Sequence, residues 1–410
     1  MIILGTKESV IAILGLGTAV PPYRMNQEDT SRRLVEALAE GGHTDSSRWA
    51  KRIFKQCGVE SRYTCEPNLL EPASSCRYFP TSASSEIDAH SGNGTVATKS
   101  VPTTSERMAV YKRESVPLAS EAARSALRDS GTAASEITHL ITVSCTGQFL
   151  PGLDTALIGE LDLNPAVTRI PLTFLGCAAG LKAVCLSKQL IAGRPDAKVL
   201  VVCVELCTLH IQSSADREAL YGASFFGDGA SSCVVGTVRD GDRDVFLLGE
   251  ERSVLLPDSA GEMIWEVGNY GFDLYLSTAI PRLIGAYVPE EVERLLDGGA
   301  KPEIWAIHPG GRGIVDILQE TFALSDGQTD ASRTILRNYG NMSSATILFV
   351  MNEMKKSLRE QGEPCREGVA LAFGPGVTAE MIGIAYVPEV DSKRTSARRD
   401  AVLPETDAYA

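Results

Sequence analysis

Three residues sit in settings that suit acyl transfer: Cys177, His308 and Asn341. Cys177 follows the apolar run TRIPLTFLG and opens the helix-forming AAGLKAVCLSKQLIAG, which places its sulfur among the unpaired N–H groups of a helix start. Such a position carries partial positive charge and lowers a thiol's pKa. Ala178, Ala179 and Gly180 leave room for a substrate beside it. His308 stands where EIWAI meets Pro309, Gly310 and Gly311, which presents its ring to a cavity. Asn341, in GNMSSA, precedes a second helix start and can offer its amide as a donor. Each also has an ordinary structural reading, as a core cysteine, a strand-end histidine or a helix cap. Taken together they suit a thiolate that attacks a thioester, an imidazole that pairs with it, and two donors for an oxyanion.

The elements that must position these residues alternate along the chain. HLITVSCTG, RIPLTFLG and KVLVVCVE read as strands, and residues 114–130 as an amphipathic helix closed by Gly131. Apolar runs without alternation mean strands covered on both faces. EIWAIHPGG, NYGNMSSA with TILFVMNEM, GVALAFGPG and MIGIAYV repeat the rhythm of HLITVSCTG, LGCAAG, KVLVVCVE and SSCVVGTV. The expected fold is therefore α/β, in two pseudo-duplicated halves over residues 1–240 and 241–390, with the loops at their strand ends facing each other. Residues 66–105, rich in Ser, Thr, Pro, Asn and Gly, read as a flexible surface insertion, and 391–410 as a disordered tail.

Composition narrows the function classes. The 410 residues are 44% hydrophobic and 22% charged, ordinary for a globular chain. A net charge of −13 gives nucleic-acid binding no global support. No stretch is long enough to span a bilayer, and the first residues do not follow the order of a secretory signal, so a cytoplasmic location is expected. The ten cysteines contain no C-x-x-C pair, so no metal site is expected, and most read as reduced core residues.

The stretches FLGCAAG, FFGDGASS, IHPGGRGIVD, YGNMSSATILF and AFGPGVTAE resemble, in order and spacing, the motifs of type III polyketide synthases, the chalcone and stilbene synthase family. The resemblance covers residues 14–387 apart from the 66–105 insertion. It implies a thiolase-type, five-layered αβαβα fold, a homodimer, CoA-linked substrates and no prosthetic group as cofactor. Cys177 then matches the nucleophile that carries starter and growing chain. His308 and Asn341 match the pair that polarises the thioester and drives decarboxylation of malonyl-CoA, the extender loaded onto an acyl-CoA starter. Phe226 and Phe272 match two gatekeepers between the CoA tunnel and the cavity. Ser343 and the Gly374, Pro375, Gly376 loop match residues that shape that cavity. Lys51, Arg52 and Lys55, on SSRWAKRIFKQCGV, match the CoA phosphate site, though a solvated helix face is the commoner fate of such charges.

Three departures from the family pattern bear on the product. Ala372 replaces the first glycine of the cavity loop. Cys145, Cys207 and His210 stand where plant enzymes carry pocket threonines, which puts a coumaroyl starter in doubt. Leu150 stands where a methionine commonly enters the partner's cavity. The pattern is closer to microbial and algal members, with an acetyl, malonyl or fatty acyl starter and a phloroglucinol, alkylpyrone or alkylresorcinol product expected. The competing readings are an initiating β-ketoacyl-ACP synthase, a thiolase using Cys365, an enzyme using Glu205 as a carboxylate base, and a non-catalytic acyl-binding partner of the same fold.

Overall fold

A computed structural model describes residues 10–79 and 101–391. The first half holds β1 (Ile11–Ala19), β2 (Tyr23–Asn26), α1 (Gln27–Glu40), α2 (Thr44–Gln56), β3 (Ser61–Thr64), α3 (Thr104–Ser130), β4 (His139–Ser144), α4 (Leu153–Glu160), β5 (Thr168–Thr173), α5 (Ala179–Ala192), β6 (Val199–Leu206), α6 (Arg217–Phe225) and β7 (Asp228–Thr237). The second holds β8 (Arg243–Leu255), β9 (Met263–Gly268), β10 (Gly271–Leu276), α7 (Ile280–Leu296), β11 (Ile304–Ile307), α8 (Arg312–Thr321), α9 (Asp326–Tyr339), α10 (Thr346–Glu360), β12 (Arg366–Gly374) and β13 (Thr378–Glu389).

Nine strands form one sheet in the order β11-β12-β13-β8-β1-β7-β6-β4-β5. The two halves of that order are the pseudo-duplicated units. β4 and β6 pair in parallel as β11 and β12 do, and each pair is followed by an antiparallel strand, β7 or β13. A short β1–β8 ladder, Ala12 with Leu247 and Ile13 with Phe246, joins the two units.

Three cores explain the layering. Side chains alternate across each strand, so every strand feeds two faces. Ile13, Val201, Cys203, Ala370, Ala372 and Ile382 face inward onto α5 and α10, which are shared by both units. Leu14, Leu200, Val202 and Val234 face outward onto α3, while Val369, Leu371 and Met381 face outward onto α7 and α8. The result is the αβαβα stack, closed at its centre by two helices whose first turns, AGLKAVC and TILFVM, are mostly apolar. Close approach there depends on Gly180, where an added Cβ would lie 2.1 Å from the Ser344 carbonyl oxygen. That contact draws the lead-in turns of α5 and α10 together, and those turns carry Cys177 and Asn341.

The helix expected over 114–130 begins ten residues earlier. Thr103 and Glu106 form a reciprocal capping box that starts α3 inside the stretch expected to be flexible. The beginning of that stretch is also packed, because Leu69, Ala73, Cys76, Tyr78 and Phe79 are buried against α1 and α2. The remainder of the insertion and the expected tail fall on residues 80–100 and 392–410, outside the described residues. Among the described residues no helix is long and apolar enough to cross a membrane.

Candidate active site

Cys177, His308 and Asn341, far apart in sequence, line one cavity of about 850 Å³ including its mouth. Its other walls are apolar, with Met263, Trp265, Leu274, Leu276 and Phe373 among them. A concave, mostly apolar site with a few convergent polar groups is the usual form of a small-molecule site.

Eight of the ten cysteines are buried, and Cys177 is one of the two that are half-buried. It lies in the short turn Gly176–Ala178 that leads into α5, with Pro375 of the opposite unit packed on Gly176. The Asn341 amide nitrogen is 3.9 Å from its sulfur. Burial pushes the Cys177 thiol up to about 11, against the pull of hydrogen bonds from Ser343 and Asn341. Burial thus works against the lowering expected from a helix start, because desolvation disfavours the thiolate.

His308 follows the last residue of β11, and its backbone N–H donates to the Leu371 carbonyl at 2.8 Å. It is wholly buried, and neither ring nitrogen has a hydrogen-bond partner. Burial holds its imidazole down to about 3, hence neutral. Gly310 leaves the ring edge uncovered, since an added Cβ would lie 3.5 Å from His308 Nε2. An unpartnered buried polar group costs about 1–3 kcal/mol, so a ring left in this state is available to a ligand.

Asn341 is held from both ends. Its Oδ1 accepts from the Ser343 N–H at 2.8 Å and the Thr346 hydroxyl at 3.3 Å, which fixes the amide orientation. Nδ2 then points to Cys177 and donates to the Gly310 carbonyl at 3.2 Å. The backbone is clamped to the α6 end: Asn341 N–H donates to Phe225 O, and Gly227 N–H to Asn341 O. Arg62, fully buried, donates to Phe226 O at 2.8 Å and braces the same junction.

Of the other expected site residues, Phe226, Cys145, Cys207, Ser343 and Pro375 line the cavity. Cys145 Sγ lies 3.0 Å from Ser343 Oγ. Gly374 and Gly376 are not part of the lining. Gly374 lies under the nucleophile's turn, where an added Cβ would be 3.0 Å from Ala178 Cβ. Phe272 and His210 also stand outside the lining. β10 puts Phe272, Leu274 and Leu276 on one face, and Phe272 is the member farthest along, beyond the cavity, with its ring stacked on His210 at 4.1 Å. Leu150 is on the surface, 92% exposed.

Lys51, Arg52 and Lys55 are exposed on α2. None of the three lines the adjoining groove, which is formed by Ile53, Gln56, Cys57, Arg312 and Asp316 and shares Tyr221, Gly311 and Gly313 with the catalytic cavity.

Trp265 was not singled out in the sequence reading. Its signal was present in GEMIWEVGNYGFDLYLS, two alternating runs about a short turn. Two rival readings lose ground. Cys365 precedes β12 while Gly374 ends it, so this thiol and the glycine loop are about 30 Å apart along the strand. Glu205 is buried behind Cys145, and its carboxylate accepts from Ser344, from Thr146 Oγ1 at 2.6 Å and from the Cys145 N–H at 3.1 Å. It does not line the cavity.

Comparison with known proteins agrees with the geometry. The family model for chalcone and stilbene synthases matches with its N-terminal domain over residues 5–239 and its C-terminal domain over 250–388. Among solved structures, the C-terminal type III polyketide synthase domain of Steely1, a type I/III hybrid from Dictyostelium, is 25% identical. It superposes with a TM-score of 0.80 over 92% of this chain and 99% of that one. PKS-I from the brown alga Ectocarpus siliculosus is 24% identical, with a TM-score of 0.81 over 93% of this chain and 100% of that one. The chain belongs to the chalcone and stilbene synthase family, and is an acyltransferase of the type III polyketide synthase class.

Proposed function

We propose that the protein loads an acyl-CoA starter onto Cys177, extends it with malonyl-CoA by repeated decarboxylative condensation, and cyclises the chain to a phloroglucinol, alkylpyrone or alkylresorcinol-type product. The observation that carries this reading is His308, a neutral, fully buried imidazole with both nitrogens unpartnered, on the same cavity as a thiol and an oriented amide.

In loading, a His308 ring nitrogen takes the Cys177 proton as the starter arrives, and the sulfur attacks the thioester carbonyl. The C–S bond to CoA breaks, and CoA leaves as its thiol with the proton from His308. In extension, malonyl-CoA loses its carboxylate as CO₂, and the electron pair of that C–C bond becomes an enolate. The His308 N–H and Asn341 Nδ2 stabilise the enolate oxygen. The carbanion attacks the Cys177 thioester, the new C–C bond forms, and the Cys177 thiolate departs. The mostly apolar lining of the cavity limits the water that could protonate the carbanion.

Arg52 and Lys55, with Lys51, are assigned to the CoA phosphates at the rim of the groove, and Phe226 to the gate where groove meets cavity. The exposed Leu150 suits a homodimer in which it enters the partner's cavity, since an apolar side chain left in water is a liability. The chemistry runs on substrate thioesters with no cofactor, and a free catalytic thiol suits the reducing cytoplasm. The test is mass spectrometry of products from malonyl-CoA alone and with a series of acyl-CoA starters. Iterative products support the reading. A single condensation on an ACP-bound substrate, with CoA substrates inert, would move the protein to the ketoacyl synthase class.

A further inference from the structure

Tyr221, Gly311 and Gly313 line both the catalytic cavity and the adjoining groove. On the groove side Gln56 and Arg312 are exposed, whereas on the cavity side His308 and Asn341 are buried. The junction of the two spaces thus lies between solvent-facing residues and the catalytic set. Two of the shared residues are glycines, so among the described residues Tyr221 supplies the one side chain common to both spaces.

The Tyr221 ring has a fixed support. It stands on α6, 4.9 Å from the ring of Phe225 one turn on, and Phe225 lies 4.4 Å from Phe226. The Ser224 hydroxyl donates to the Tyr221 carbonyl at 2.7 Å, and the end of this helix is the part clamped to Asn341. The phenol itself is uncommitted, making no hydrogen bond among the described residues. Gly311 leaves it uncovered, since an added Cβ there would lie 3.4 Å from the Tyr221 hydroxyl. Burial raises its pKa, so it stays protonated and can both donate and accept. The charged groups of the groove are less available, because Arg312 is paired with Asp316 at 3.2 Å.

A ligand running from the groove to Cys177 would be the pantetheine arm of an acyl-CoA, whose secondary amides need partners once they leave water. We propose that Tyr221 is a specificity-determining residue for the carrier arm, its hydroxyl hydrogen-bonding a pantetheine amide as the thioester is delivered. This rests on the proposed synthase reading and deepens it. The substrate class it names is the thioester whose leaving thiol bears an amide, whatever the acyl group.

The test measures acylation of Cys177 in the full chain by intact-protein mass spectrometry, with one acyl group on a series of leaving thiols. These are CoA, pantetheine, N-acetylcysteamine and pentanethiol, the last matching N-acetylcysteamine in length without its amide. Tyr221→Phe removes the hydroxyl and keeps the ring. It should lower kcat/KM for the amide-bearing thioesters by about three- to tenfold and leave the pentanethiol thioester unchanged. Comparing wild type and variant on the same thioester cancels the different leaving abilities of the thiols.

A loss confined to CoA and pantetheine would uphold the inference at the more distant amide of the arm. Equal rates for wild type and variant with every thioester would overturn it. An equal loss with every thioester, pentanethiol included, would also overturn it, since that marks a role in shaping the site and not in reading the amide. A wild type that forms no adduct with any CoA substrate would instead overturn the synthase reading itself.

Discussion

Two buried histidines stand at opposite ends of the site's chemistry. His210, stacked on Phe272 outside the cavity lining, takes the Phe272 N–H on Nδ1 and holds Nε2 2.7 Å from the Thr146 carbonyl, whereas His308, on the same cavity as the nucleophile, has neither ring nitrogen engaged. Burial holds both imidazoles down to about 3, so charge does not distinguish them. What distinguishes them is unsatisfied hydrogen-bonding capacity. A satisfied ring stiffens the fold, while an unsatisfied one is stabilised only when a substrate supplies the missing partner.

The comparison breaks most visibly at the open end. Cys177→Ala should abolish the acyl adduct and lower product formation by about a thousandfold or more, as read by intact mass and radiolabelled malonyl-CoA turnover. An alanine variant that condenses at the parent rate would refute the assignment. His308→Gln should reduce CO₂ release from malonyl-CoA by about 10²–10³-fold, with CoA affinity changed far less. Unchanged decarboxylation would remove His308 from that role. Asn341→Ala should cost about a hundredfold in the same assay, because one of the two enolate donors is lost.

The closed end should respond in stability and much less in rate. His210→Phe keeps a ring but strands the Thr146 carbonyl and the Phe272 N–H, which should cost about 1–3 kcal/mol in urea unfolding. A rate loss as large as that of His308→Gln would erase the contrast between the two residues.

Acidification should make them alike again. Each folded-state imidazole is held well below its usual 6.5, so the unfolded chain binds protons that the folded chain refuses. Their contribution to stability is complete above about pH 6.5 and is lost as the pH falls toward 3. By pH 5 each histidine should cost about 2 kcal/mol. Unfolding free energies at pH 7 and 5 should show a drop that shrinks by about that amount in either His210→Phe or His308→Gln. Stability thus reports burial alone, and turnover reports the free nitrogens.

Much of this was legible in the sequence, for a local reason. Cys177, His308 and Asn341 each stand at a strand end or helix start marked by small residues, and such punctuation is short-range. The repeat of strand and helix rhythms gave away the two units in the same way. The placement of His210 and Phe272 outside the cavity lining was not legible, because it depends on the register of the β9–β10 hairpin, which pairs Trp265 with Leu274. The start of α3 was missed because Thr103, Thr104 and Ser105 read equally as loop or as cap, and only Glu106 reaching back decides. The burial that opposes a lowered Cys177 pKa was not legible, because helix position is visible in the sequence and depth is not.

The backbone clamp between Phe226 and Asn341 carries one more consequence. Asn341 N–H reaches Phe225 O, Gly227 N–H reaches Asn341 O, and Arg62 holds Phe226 O from behind. Phe226, to which the gate is assigned in the proposed reading, and the Asn341 amide are thereby one mechanical part. Displacing Phe226 displaces the amide, so under the proposed roles a substitution that changes what is admitted also retunes how fast it reacts.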